Sequence, residues 1–236
     1  MTDQPPPFPS APFPQLPPPP SSDARTGPAW EQPGAAFSRF AATTHDVLLA
    51  PAAFFRTMRR EGGLGAPLLY GIVGTVAGGV IAGIYQMIFA TLSAGLEGPD
   101  AAQQQALLSL FSTGCVVVLL PVLAVLSMVV GAAIYHVMLL LLGAARQPFE
   151  TTMRVSAYAK GATSLLNVVP VCGGLIAAVW AIVACIIGLA ETHEIPLGKA
   201  AAAVLIPIAA CCVLALLLYA SVAALLVGGL IAGASG

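Results

Sequence analysis

Residues 152–190 read TMRVSAYAKGATSLLNVVPVCGGLIAAVWAIVACIIGLA, and the way this run divides decides the fold. A helix needs about 20 apolar residues to cross a hydrocarbon core about 30 Å thick. The run is far longer, and Asn167 to Gly174, with Pro170, Gly173 and Gly174, supplies a turn signal near its middle. It therefore splits into two short helices, 152–169 and 172–190. Upstream, 66–94 forms one span. The stretch from Leu107 to Leu142 is too long for one span and offers no polar turn for two. It predicts one crossing over 118–142, kinked near Pro121 and preceded by an interfacial turn. Downstream, 200–226 forms a last span and leaves 227–236 as a short tail. The fold expected is all-α: a polytopic membrane helix bundle of five transmembrane helices, residues 66–226.

Composition agrees. With 58% apolar residues, 8% charged and a mean hydropathy of +0.91, the chain cannot cover itself with a polar surface in water. The lipid bilayer is its expected solvent, and nothing suggests a nucleic-acid partner. Cys115, Cys172, Cys185, Cys211 and Cys212 fall within or beside apolar stretches and read as packing residues rather than a disulfide framework. With the N-terminus inside, all nine basic residues lie on the cytoplasmic side: Arg25, Arg39, Arg56, Arg59, Arg60, Arg146, Arg154, Lys160 and Lys199. The outer loops hold Glu97 and Asp100. Four spans would put Lys199 outside, so parity favours five and a C-terminus outside.

Two regions precede the bundle. Residues 1–33 hold twelve of the twenty prolines and few large apolar side chains, which predicts a disordered or polyproline-like cytoplasmic tail. No basic segment followed by an apolar one marks it for cleavage, so the first span is expected to serve as an uncleaved signal. Its PxxP spacings, Pro6 to Pro9, Pro9 to Pro12 and Pro17 to Pro20, fit aromatic-lined grooves, and they also arise wherever proline is abundant. Residues 34–65 predict short amphipathic helices. Phe37, Phe40, Thr44, Val47 and Leu48 share one face and Arg39, Thr43 and Asp46 another. Pro51 opens a second helix with Phe54, Phe55 and Met58 against Arg56, Arg59 and Arg60. Aromatic plus basic faces suit the headgroup region; packing beneath the membrane domain is the other reading. Phe54, Phe55, Arg56, Arg59 and Arg60 are the candidate interfacial contacts.

Within the spans, Gly71, Thr75, Gly79 and Gly83 form one row of small residues and Gly74, Gly78 and Ala82 a neighbouring one. Gly173, Ala177, Ala181 and Cys185 repeat the device. These seams serve packing within one chain or a homo-oligomer. Candidate functional or packing residues are His136, Tyr158, Lys160, Asn167, Pro170, Gly173 and Gly174, since a polar or ionisable residue inside a span is a functional hypothesis by default. Lys160 can also snorkel to the interface, and His136 can serve as an interhelical hydrogen bonder. Glu191, His193 and Glu194 read as a solvated turn. With no HExxH, no GxSxG and no phosphate-cradling glycine loop, no catalytic, cofactor-binding or metal-binding residue is assigned and no enzyme is expected.

The run from Arg154 to Pro207 resembles the core of the Yip family of five-span membrane proteins. The residues that carry the likeness are Tyr158, then Pro170 with Gly173 and Gly174, Trp180 and His193, together with a pre-membrane segment around Pro51, Phe54 and Phe55. The likeness covers about residues 36–225. It implies a protein without enzymatic activity that organises or recruits membrane partners, since eukaryotic members are associated with Rab-type GTPases and vesicle traffic. Their acidic, tyrosine-containing pre-membrane motif is replaced here by Leu48, Leu49, Ala50 and Pro51. The abundance of Ala and Gly resembles the bacterial branch and implies a cytoplasmic (inner) membrane location. Protein partners would meet the cytoplasmic N-terminal region. The reading from another class is a small-solute transporter or channel lined by Pro121, His136 and the Asn167 to Gly174 turn.

Overall fold

A computed structural model describes residues 25–96 and 98–234, with side chains through Val222. The proline-rich segment before Arg25 with its PxxP spacings, Glu97 and the last two residues lie outside the described residues. The chain is all-helical, and no strand occurs among the described residues. A 3-10 turn at Ala29–Glu31 precedes α1 (Ala36–Leu49) and α2 (Pro51–Thr57). The long helices follow: α3 (Gly65–Gly95), α4 (Pro99–Leu141), α5 (Phe149–Ser164) with a 3-10 extension at Leu165–Val168, α6 (Gly173–His193) and α7 (Leu197–Ala234).

Four of these, α3, α4, α6 and α7, are long and apolar enough to cross a membrane. α5 is not among them. It has 16 residues and carries Glu150, Arg154 and Lys160 with several Thr and Ser. Yet it is the most enclosed helix: Thr151 to Ala159 and Gly161 to Thr163 are all buried. α3, α4 and α6 pack around it. A helix enclosed by protein along almost its whole length needs little apolar exterior, and most of its polar groups are satisfied by neighbours instead of water.

Small residues make that enclosure possible. A Cβ on Gly74 would lie 2.2 Å from the carbonyl oxygen of Gly161, and one on Gly78 would lie 2.0 Å from that of Ser164. The backbones of α3 and α5 thus touch directly, which maximises van der Waals contact where no water-driven burial is available. Gly79 and Gly83 face Leu120 and Thr113 of α4 instead. The two rows of small residues on α3 therefore serve two different neighbours within the same chain.

Four expectations need correction. First, 25–33 are not a disordered tail: Gly27 N donates to Thr57 O, and Trp30 Nε1 donates to Ala66 O at 2.7 Å. Trp30 supplies the large apolar body that the prolines lack. Second, no interfacial turn precedes 118. α4 runs unbroken through Pro121 for 43 residues because Pro99 and Asp100 start it well upstream and nothing polar interrupts it. Third, α7 does not end near 226 but continues to Ala234. Fourth, Thr43 lies on the buried face of α1, where its hydroxyl accepts from Trp30 N at 2.9 Å, while Phe37 is exposed. The docked Trp30 draws that face inward.

Helix ends show the same local logic. α4 closes with Gly143 at φ 59, where its N–H reaches Leu140 O and Ala144 N reaches Leu139 O. This is the paired C-terminal motif in which a left-handed residue satisfies the last carbonyls. α6 also ends on a left-handed residue, Glu194 at φ 54, but there Glu194 N and Ile195 N both reach Ala190 O.

The α3 and α5 contact generates a direct test. Gly74→Val in the full-length protein is expected to destabilise it by about 2 to 3 kcal/mol or more, because a backbone atom cannot move aside. Gly114→Ala, which meets nothing within 4 Å, is the control. Thermal unfolding in detergent checks both, and equal midpoints would mean that the two backbones do not touch.

Candidate functional site

At one end of the bundle, called proximal here, the N-terminal segment meets α5, the start of α3 and the end of α6, and the end of α4 meets the start of α7. Gly63 N donates to Glu150 Oε1 at 2.7 Å, an Arg146 guanidinium nitrogen donates to Glu194 O at 2.8 Å and Lys199 Nζ reaches Leu142 O at 3.4 Å. At the distal end, Tyr85 Oη donates to Val168 O at 3.1 Å.

The centre of the proximal end is Arg154, only 1% exposed. Its guanidinium pairs with Glu31, itself nearly buried, and donates to Gly63 O at 2.6 Å. Glu150, one turn back on α5, stands 4.0 Å away. Tyr158 Oη donates to the same Glu31 carboxylate at 2.6 Å. A buried charge is tolerable only when paired and hydrogen-bonded. Here the counter-charge comes from the segment before α1, more than a hundred residues away in sequence.

Aromatic rings hold that segment in position. Trp30, Phe40 and Tyr70 contact one another with centroids 5.0 to 6.0 Å apart, and Tyr70 contacts Tyr158 at 5.2 Å. Phe54 joins Tyr158 at 5.4 Å in an edge-to-face arrangement. Tyr70 Oη also shares a hydrogen bond with Thr44 Oγ1 at 2.8 Å. Phe54 and Phe55 are buried, and Gly188 of α6 leaves room for Val155 and Phe55, since a Cβ there would lie 2.6 Å from Val155 Cγ1 and 3.1 Å from the Phe55 ring. Of the two readings open to these phenylalanines, the structure has them beneath the chain's own helices.

Charge encircles this core. Arg56 forms a bidentate pair with Glu191, both bonds at 2.8 Å, and Arg60 pairs with Glu194. Arg59 is exposed. Arg25 reaches Glu194 at 3.4 Å and donates to Phe55 O at 3.0 Å. The hydrogen bond from Arg60, then its charge, and further out Arg25 and Arg146, hold the Glu194 carboxyl below the usual carboxylate range.

His136, Thr152 and His193 form a directed chain of hydrogen bonds. Gln147 N donates to His193 Nδ1 at 3.2 Å, so that nitrogen is the acceptor and Nε2 carries the proton. His193 Nε2 then donates to Thr152 Oγ1 at 3.0 Å, and the hydroxyl donates to His136 Nδ1 at 2.9 Å. The chain ties α4, α5 and α6 together and fixes both tautomers.

The other candidates lie apart. Asn167, Pro170, Gly173 and Gly174 form the distal turn, where Gly173 is needed because a Cβ would meet Leu166 O at 2.7 Å. Pro170 and Gly174 are exposed there. Lys160 lies between the two ends. In the sequence Arg154 counts only as one of the cytoplasmic basic residues, Glu31 and Thr152 carry no signal of their own, and Glu191, His193 and Glu194 read as a solvated turn; in the structure His193 is fully buried. The pair Trp30–Glu31, interrupting a run otherwise poor in aromatics and acids, was the available signal.

These features define a polytopic, all-α membrane protein whose proximal end is locked by a buried ion pair. The comparison with family models then identifies it: the Yip1 domain model matches residues 46–220, and the chain belongs to the Yip1 domain family, a multi-pass integral membrane protein. No curated protein and no solved structure matches. The match begins at Asp46, so Arg25, Trp30 and Glu31 lie outside it.

The Glu194 linkage has a definite sign. A carboxyl whose pKa is depressed on folding contributes stability that is present above its unfolded value and lost as pH falls through the folded one. Stability measured by urea unfolding in detergent is expected to fall below about pH 4, near the ordinary carboxylate value. Glu194→Gln should flatten that slope, and an unchanged slope would remove Glu194 from the lock.

Proposed function

We propose that this protein organises or recruits membrane partners without catalysing a reaction, and that its N-terminal region is the contact surface. The observation that carries the reading is the clasp of residues 25–33 on Arg154 and Tyr158. It anchors the proline-rich segment ahead of it to the rigid core of the membrane domain. A partner that engages that segment would be held at a fixed position against the bilayer surface, with Arg56, Arg59 and Arg60 beside it. Family membership supports a role through protein partners. The exposed apolar side chains of α4 and α7, such as Leu126, Val130, Leu214 and Leu217, support lipid contact along the rest of the surface.

The same reading takes α5 with its 3-10 extension as a fifth crossing. From Gly65 to Tyr85, α3 rises through 20 residues, roughly 30 Å, the thickness of a hydrocarbon core. Its partners along that length are the start of α5 at one end and Val168 at the other. Five crossings, basic residues inside, leave the N-terminus cytoplasmic and the C-terminus outside; the proposed setting is a bacterial inner membrane.

Two measurements test this. Crosslinking in cells is expected to recover partners with the full chain and to lose them when residues 1–24 are removed; retention of every partner would refute a role for the prolines. In a cysteine-free background, Ser22→Cys should be labelled by an impermeant maleimide only after lysis and Ser235→Cys in intact cells. Labelling from one side would mean an even number of crossings.

A further inference from the structure

Arg154 is neutralised by Glu31, and Arg25, Arg56, Arg60, Arg146 and Lys199 each contact a carboxylate or a carbonyl. Lys160 differs. It sits six residues further along α5, about 9 Å deeper in the bundle. No hydrogen bond or ion pair involves its ammonium among the described residues, and Tyr135 Oη is likewise without a hydrogen-bond partner there.

Both residues line one cavity of about 140 Å³. Ser127 and Gly131 of α4, Ser156 of α5, and Ile182 and Cys185 of α6 complete the part that matters. α4 and α6 each pack on α5 and on α7 with no packed interface between them, so Lys160 lies on the floor of a cleft. Ser156 and Cys185 are buried at its base, and Ser127 is exposed at its rim. α7 closes the proximal side through Ala200, Ala203 and Val204 and, one turn on, the half-buried Ile208; beyond it Cys211, Cys212 and Leu214 are exposed. The cleft therefore opens sideways, toward lipid, and no carboxylate lines it.

We propose that this cleft binds the phosphate of one acidic phospholipid entering between α4 and α6. The side chain of a helical residue leans toward the helix N-terminus, so the Lys160 ammonium points back toward the proximal leaflet, where such headgroups lie. The ammonium would pair with the phosphate, and Tyr135 Oη would donate to a second oxygen. Ser127 and Ser156, which line the same cavity, already donate to Ala124 O and Met128 O, so their hydroxyl oxygens are left there as acceptors. The acyl chains would lie outside along apolar residues such as Ile182. Gly131 leaves room for the headgroup at the mouth. A lipid rather than a soluble anion follows from the opening, which faces the apolar flank of the bundle.

Native mass spectrometry of the full-length protein in detergent, titrated with phosphatidylglycerol and with phosphatidylcholine, tests this. The wild type is expected to retain one phosphatidylglycerol in preference to phosphatidylcholine. Lys160→Met should weaken that adduct about tenfold, as loss of a charge-assisted hydrogen bond implies, and Tyr135→Phe by a smaller factor. Lys160→Arg should keep it, and Lys199→Met should leave it unchanged. Should Lys160→Met unfold, Tyr135→Phe decides: undiminished binding would overturn the proposal. So would a Lys160→Met titration that matches wild type. Displacement of the lipid by millimolar inorganic phosphate would assign the cleft to a soluble anion, and it too would overturn the proposal.

Discussion

Gly74 and Gly78 let the backbone of α3 lie directly against that of α5, and the rest of the molecule follows from where this puts α5. A helix carrying Arg154, Lys160 and a row of Thr and Ser cannot face lipid without large cost. Once it is placed against α3 and covered by α4 and α6, most of its polar groups are answered by neighbours: Arg154 by Glu31 and Gly63, Thr152 by two histidines, Tyr158 by Glu31. The apolar helices then serve mainly as walls. Their outer faces, as on α4 and α7, need only be compatible with lipid.

This explains why the segment before α1 is part of the fold. Arg154 needs a carboxylate, α5 offers only the more distant Glu150, and the enclosing helices offer none at that point. Glu31 fills the gap, with Trp30 holding it through Phe40, Tyr70 and the bond to Ala66 O. That link is what connects packing to the proposed role in recruitment.

Much of the architecture was legible in the sequence. Long apolar runs, the Asn167 to Gly174 turn, Pro51 at a helix start and the small residues of α3 each rest on local chemistry, and each corresponds to an observed element. What could not be read was pairing across distance. Nothing local distinguishes Arg154 from a loop arginine, because its burial depends on Glu31, 123 residues away. Thr43 was assigned to the polar face of α1 since periodicity carries no information on which neighbour will dock there. The length of α4 was misjudged for a simpler reason: an apolar run without a breaker sets no boundary of its own.

The central claim is that the buried ion pair between Glu31 and Arg154 locks the N-terminal segment to the bundle. A double-mutant cycle on the full-length protein measures this, using Glu31→Gln, Arg154→Met and their combination, with unfolding free energy in detergent as the readout. Each single change leaves a buried group without its counter-charge and should cost about 3 to 5 kcal/mol, while the pair together should cost much less than the sum. Strictly additive losses would contradict the account, since they would mean that the two side chains do not meet.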